Sequence, residues 1–399
     1  MWAALRHAKE AACGFARRHK KLLVVTGVGA ACAGGAYYAY RRMLGEAERF
    51  AQQLQVQMAE HQRLQLALGS TADESRATVR RFLPRLKTRL FALLDLERVV
   101  QELKTLDKTH KARRNELWED AKLLAITRYV TALVAFGLWH LLVFAQVSII
   151  GKRVFEKSKG LETQKHREQA EEQAHHAFLT SGLEYFLEEA LGKIKAHVEA
   201  VVRQNKQLQG WKVSRKAAVR ADELNELLQA LFLAVLPSPA AVAAAEKQQD
   251  SAELRKWHEF LIYPDKQKGQ DEHVISLLND LWDLLESDLF MPALQHSLGF
   301  LCGNAFQDLD DVVYGPSKPE PRVVEDNAVE PTKKPAPPLA KLIPCLQSEM
   351  NKLLLSAGPD SYAAKYSQGV GEMEAFRNFY EAIFFEQGSQ DSFPGSALI

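Results

Sequence analysis

Apolar positions in this chain recur mostly at spacings of three and four, and few runs alternate over strand length. That is the period of amphipathic helices. The pattern predicts a helix over 46–68, with Phe50, Leu54, Met58 and Leu64 along it. A second spans 75–104 through Phe82, Leu86, Leu90 and Leu94, with Pro84 marking an early helix position or a bend. Further helices are predicted over 175–206, 220–236, 272–290, 291–309, 339–355 and 371–386. Pro237 and Pro239 stop the one at 220–236. The charged run 156–174 reads as a solvated helix start or loop. Residues 315–338 hold seven of the 15 prolines and read as an extended loop.

Two stretches are apolar on all sides. Residues 22–40 carry no charge and lie between RRHKK and Arg41-Arg42. As a helix they extend about 28 Å, close to a bilayer's hydrocarbon thickness. Tyr37, Tyr38 and Tyr40 sit where interfacial aromatics belong. Gly27, Ala31 and Gly35 offer a small-residue face, or simply tune hydrophobicity. A cleaved secretory signal is the rival, but the basic region is long and the apolar run continues into tyrosines and arginines. Residues 129–151 form the second stretch, fed by the mixed helix LWEDAKLLAITR. A helix apolar all round is either a membrane span or the centre of a large bundle. The residues alone leave both open.

Composition narrows this little. The chain is 47% hydrophobic and 25% charged, enough to bury a sizeable core. A net charge of +1 gives no case for nucleic acid. The charge is uneven, because residues 1–21 carry Arg6, Lys9, Arg17, Arg18, Lys20 and Lys21 against Glu10 alone. Cys13, Cys32, Cys302 and Cys345 have no metal or disulfide spacing.

Catalytic chemistry finds little support. Glu172 and His175 stand three apart, the unit di-iron bundles use, but no second Glu-x-x-His occurs. Asp308, Asp310 and Asp311 lack the calcium-loop spacing. No phosphate loop, nucleophile elbow or zinc spacing is present. His140 is a relay only if its helix crosses a membrane, and otherwise a satisfied core histidine. The reading is a binding protein, not an enzyme, with no cofactor and no metal. Trp118 stands out, because it lies where the polar run 107–114 gives way to a helix. Such a tryptophan is a binding hot spot or the core plug of a bundle end. Leu103 and Leu106 just upstream would line the same groove, with Lys108 and Arg114 at its rim, and an amphipathic partner helix would lie there.

These residues resemble the peroxin-3 family. The resemblance is strongest from Leu117 to Gly151, where a Leu-Trp-Glu-Asp-Ala-Lys segment runs into a long apolar helix ending in Ser-Ile-Ile-Gly. The RRHKK run, Pro338 to Pro344 and Phe376 to Ala382 support it in order along the chain. Residues 155–175 and 240–270 match weakly.

The resemblance implies a peroxisomal membrane receptor with one N-terminal span and its bulk in the cytosol. It implies that 129–151 is buried in the bundle. The expected partner is the peroxin-19 carrier, which brings newly made membrane proteins and docks through its N-terminal amphipathic helix. The family's groove tryptophan maps to Trp118, its basic rim to Lys108 and Arg114, and its apolar lining to Leu103 and Leu106. A family leucine of the groove aligns with Asp107, a departure. Arg17, Arg18, Lys20 and Lys21 resemble the family's membrane-targeting signal.

The expected fold is all-α: one N-terminal transmembrane helix, then a large elongated bundle of long helices. The expected organisation is a basic tail (1–21), the bilayer anchor (22–40), a membrane-proximal helix or stalk (41–74), a bundle (75–314), a Pro-rich loop (315–338) and closing helices (339–399). The alternative is a multi-span protein or membrane-bound helical enzyme with 129–151 as a second span.

Overall fold

The computed structural model describes residues 20–107, 109–159, 165–238, 240, 242–243, 252–262, 271–315, 336–355, 358 and 361–385. Among them every regular element is helical and no strand occurs. The chain divides into two units, Met1–Leu66 and Ala67–Ile399. The targeting residues Arg17 and Arg18 and nearly all of the Pro-rich loop lie outside the described residues.

The first helix, α1, runs unbroken from Lys20 to Leu93, where the apolar pattern suggested separate segments. Lys20 and Lys21 are its first residues. The predicted helices 46–68 and 75–104 leave Gly69-Ser70-Thr71 between them. In the helix, Ser75 instead donates its buried hydroxyl to the Thr71 carbonyl at 2.8 Å. Pro84 lies inside the helix, and the Thr88 hydroxyl donates to its carbonyl at 2.9 Å. The break falls at Asp95, whose carboxylate accepts from the Arg98 N–H at 2.9 Å. That is the N-cap of α2 (Leu96–Thr105). Within the first unit, Met43, Phe50 and Met58 are exposed.

The second unit is built around α3 (Lys111–Lys159), which contains the second apolar stretch. By length and hydropathy it would qualify as a membrane span. Every residue from Ala125 to Ile149 is nevertheless buried inside the bundle. Its neighbours are α2, α4 (Lys165–Tyr185), α5 (Leu191–Gln204), α9 (Glu272–Glu286), α10 (Phe290–Tyr314), α11 (Leu339–Leu353) and α13 (Glu374–Glu381). A π-helical turn at Phe186–Ala190 joins α4 to α5. The short α6 (Lys206–Gly210) and α7 (Ala221–Val235) follow. Farther on lie α8 (Ala252–His258) and α12 (Tyr362–Glu372). The predicted closing helix over 371–386 is broken at Met373, whose extended backbone caps α13.

Several buried polar groups within α3 are satisfied, some of them by distant helices. The His140 Nδ1–H donates to the Phe136 carbonyl at 2.7 Å, and its Nε2 lies 2.9 Å from the Ser367 hydroxyl. It is a satisfied core histidine. Tyr129 donates to the Ala305 carbonyl at 2.8 Å, and Gln146 to the Phe178 carbonyl at 2.9 Å. Gly137 lets α10 approach, since a Cβ there would lie 2.5 Å from Leu298 Cδ2. At the other end of α3, Arg153 binds Asp280 of α9 at 2.5 Å.

Candidate functional site

The sequence places the groove at the junction of α2 and α3. Leu106 ends α2, its N–H donating to the Glu102 carbonyl at 3.0 Å. The loop then turns within four residues, with the His110 N–H on the Asp107 carbonyl at 3.2 Å. Arg113 latches the two helices, donating to Glu102 at 2.8 Å and to Glu116 at 3.3 Å. Those acceptors, Glu102 first, hold its guanidinium above its ordinary pKa.

Leu103 is 7% exposed and belongs to the hydrophobic core. Leu106 and Trp118 are half-buried and pack against that same core. Arg114 is half-buried and Asp107 exposed. Lys108 lies outside the described residues. Leu103 thus lies beneath the surface, while Leu106 and Trp118 lean on the core from its edge. Trp118 is neither a sealed plug nor a free surface ring.

A second wall was not legible in the sequence. The segment 205–216 lies against the first turns of α3, far from it in chain order. Asn205 caps its short helix by accepting from the Leu208 N–H at 2.9 Å. Lys122, only 2% exposed, donates to the Trp211 carbonyl at 2.7 Å and the Leu208 carbonyl at 3.3 Å. It also pairs with Glu119 at 2.7 Å, whose other oxygen accepts the Val213 N–H at 2.7 Å. Burial pushes the Glu119 carboxyl up. The hydrogen bonds from Lys122 and Val213 outweigh that and leave it below its ordinary pKa. The one available signal was a lysine inside the otherwise helical, increasingly apolar run LWEDAKLLAI.

Between the two walls lies a cleft of about 470 Å³, lined by Asn115, Glu116, Glu119, Asp120, Lys212, Ser214 and Arg215. A second cleft of about 510 Å³ has Leu93, Leu94, Val99, Leu123 and Leu124 in its lining beside Asp120, Glu199 and Arg203. Trp118 lines neither. Elsewhere, Glu172 is exposed and His175 half-buried, while Asp308 accepts a hydrogen bond from Tyr366. Among the described residues, no three His, Cys, Asp or Glu side chains converge on a metal site.

No family model matches the chain. It is 24% identical over 386 residues to peroxisomal biogenesis factor 3 of Cricetulus longicaudatus. It is 23% identical over 384 residues to that of Mus musculus and 24% over 384 residues to that of Bos taurus. Each match covers 92% of this chain and 96% of the relative. The similarity runs nearly the full length of both chains.

Proposed function

We propose that this chain serves peroxisome biogenesis as a membrane-anchored docking receptor. Residues 22–40 act as its only span, with Arg17, Arg18, Lys20 and Lys21 as the targeting run. The bundle faces the cytosol and receives the N-terminal amphipathic helix of the peroxin-19 carrier. The burial of 125–149 supports the single-span reading, since that stretch already has protein on all sides.

The observation that carries the docking reading is Trp118, held half-exposed where α2 and α3 meet. An amphipathic helix that covers this ring desolvates it fully, and such aromatic anchors dominate interface energies. Arg114, with Lys108, supplies positive charge that orients an acidic carrier more than it adds affinity. The work is binding, not catalysis.

Titration of the full-length protein in nanodiscs with the cognate carrier tests this. Trp118→Ala is expected to keep native helicity and to lose about 2 kcal/mol or more of binding. Unchanged affinity in a folded variant removes Trp118 from the site. Global unfolding identifies it as a core plug.

A further inference from the structure

We propose that Lys122 is a positioning residue of the docking end, acting through Glu119 to fasten the 208–213 segment onto α3 so that partner affinity depends on it. This rests on the docking role above and extends it from the hairpin to the second wall.

The Lys122 side chain is 3% exposed, so it does not meet a partner itself. Burying an ammonium costs several kcal/mol unless every proton finds an acceptor. Here three protons meet three acceptors: Glu119, the Trp211 carbonyl and the Leu208 carbonyl. Two of those belong to a segment up to 89 residues away in sequence. Glu119 adds a third backbone tie by accepting the Val213 N–H. One i,i+3 pair thus holds two carbonyls and one amide of a distant segment.

That segment needs such a tie. Its helix has five residues, too few to persist alone. The turn that follows exposes Lys212, Ser214 and Arg215 to the cleft. Lys122 stands four residues after Trp118, hence on the same face of α3. The tie therefore sets the second wall one turn from the proposed anchor ring. An apolar pair of similar volume would fill the space at least as stably. What it would not do is fix which backbone atoms of the segment face α3.

The test uses the full-length protein in nanodiscs and a peptide of the cognate carrier's N-terminal segment. Amide exchange is read over 205–216 and, as control, over 129–149, beside the peptide's affinity and dissociation rate. Lys122→Met is expected to speed exchange over 205–216 alone and to weaken binding about tenfold, through faster dissociation. Lys122→Arg, which keeps charge and several donors, recovers part of both. If Lys122→Met does not fold, Glu119→Ala frees the Val213 tie from a more accessible position and is read the same way. A loosened segment with unchanged affinity overturns the inference, as does weaker binding with unchanged exchange. If the wild type itself does not bind the peptide, the docking reading falls, and this inference with it.

Discussion

The Arg128 guanidinium carbon sits 3.6 Å from the centroid of the Phe91 ring, stacking α3 on the last turns of α1. Its Nη1 donates to Glu97 of α2 at 2.9 Å, and Gln347 of α11 donates to the same carboxylate oxygen at 2.9 Å. Three helices therefore meet α3 around one arginine. Its Nε and Nη2 are buried without an acceptor, which sets a desolvation cost against the stacking.

That balance makes a prediction against intuition. Arg128→Met keeps most of the volume and removes the unpaired donors. It is expected to stay within about 1 kcal/mol of wild type, or to stabilise. Arg128→Ala leaves a void and costs about 3 kcal/mol. Urea unfolding of both variants checks the order, and a Met variant as damaged as the Ala variant would show that the charge itself is needed.

Gly182 marks where α4 presses on α3. A Cβ there would lie 2.2 Å from Gln146 Nε2, and that amide is pinned by the Phe178 carbonyl. Gly182→Ala is expected to cost about 1–3 kcal/mol through overpacking. Adding Gln146→Ala opens the space, so the double variant should be more stable than the two single losses summed. Strict additivity in thermal melts would contradict the contact.

His140 gives the bundle an acid limb. Burial lowers its pKa from 6.5 to about 4, while the Phe136 carbonyl pulls weakly the other way. Between those values the unfolded chain takes up a proton that the folded chain refuses. Stability is therefore full above about 6.5 and falls with pH toward 4, by up to about 3 kcal/mol. His175 and His197 are also lowered by burial and add in the same direction. His140→Phe should flatten part of this slope in denaturation series at successive pH values, and an unchanged slope would assign it to the other histidines.

Topology is testable directly. Glycosylation acceptors placed in the 106–110 loop and just after Lys159 should behave alike, because α3 is enclosed in the bundle. On intact organelles both sites should stay unmodified and both should be open to protease. Modification of one alone would mean that α3 crosses the bilayer.

Much of this fold is written in local periodicity. The helical class and the helix predicted over 272–290, which the structure holds as Glu272–Glu286, follow from spacing and side-chain type. Other features depend on residues far apart. Residues 129–151 are equally apolar in a membrane or in a core, and only contacts such as His140 with Ser367 distinguish the two. The union of 20–93 into one helix joins stretches that the apolar pattern sets apart, 22–40, 46–68 and the start of 75–104. At the candidate site, the hairpin residues lie within sixteen positions of one another in sequence and were readable as a group. The second wall comes from 205–216, and no local spacing links it to Lys122.

The enclosure of α3 bears on how the chain is made. Its covering helices α10 to α13 lie in the last third of the sequence, so they leave the ribosome long after Tyr129–Gly151 has emerged. Until then the nascent polypeptide carries an apolar segment of span-like hydropathy that lacks part of its cover. Such a segment invites aggregation or capture by insertion machinery. A chain truncated before Leu339 would leave that segment without its α11 cover.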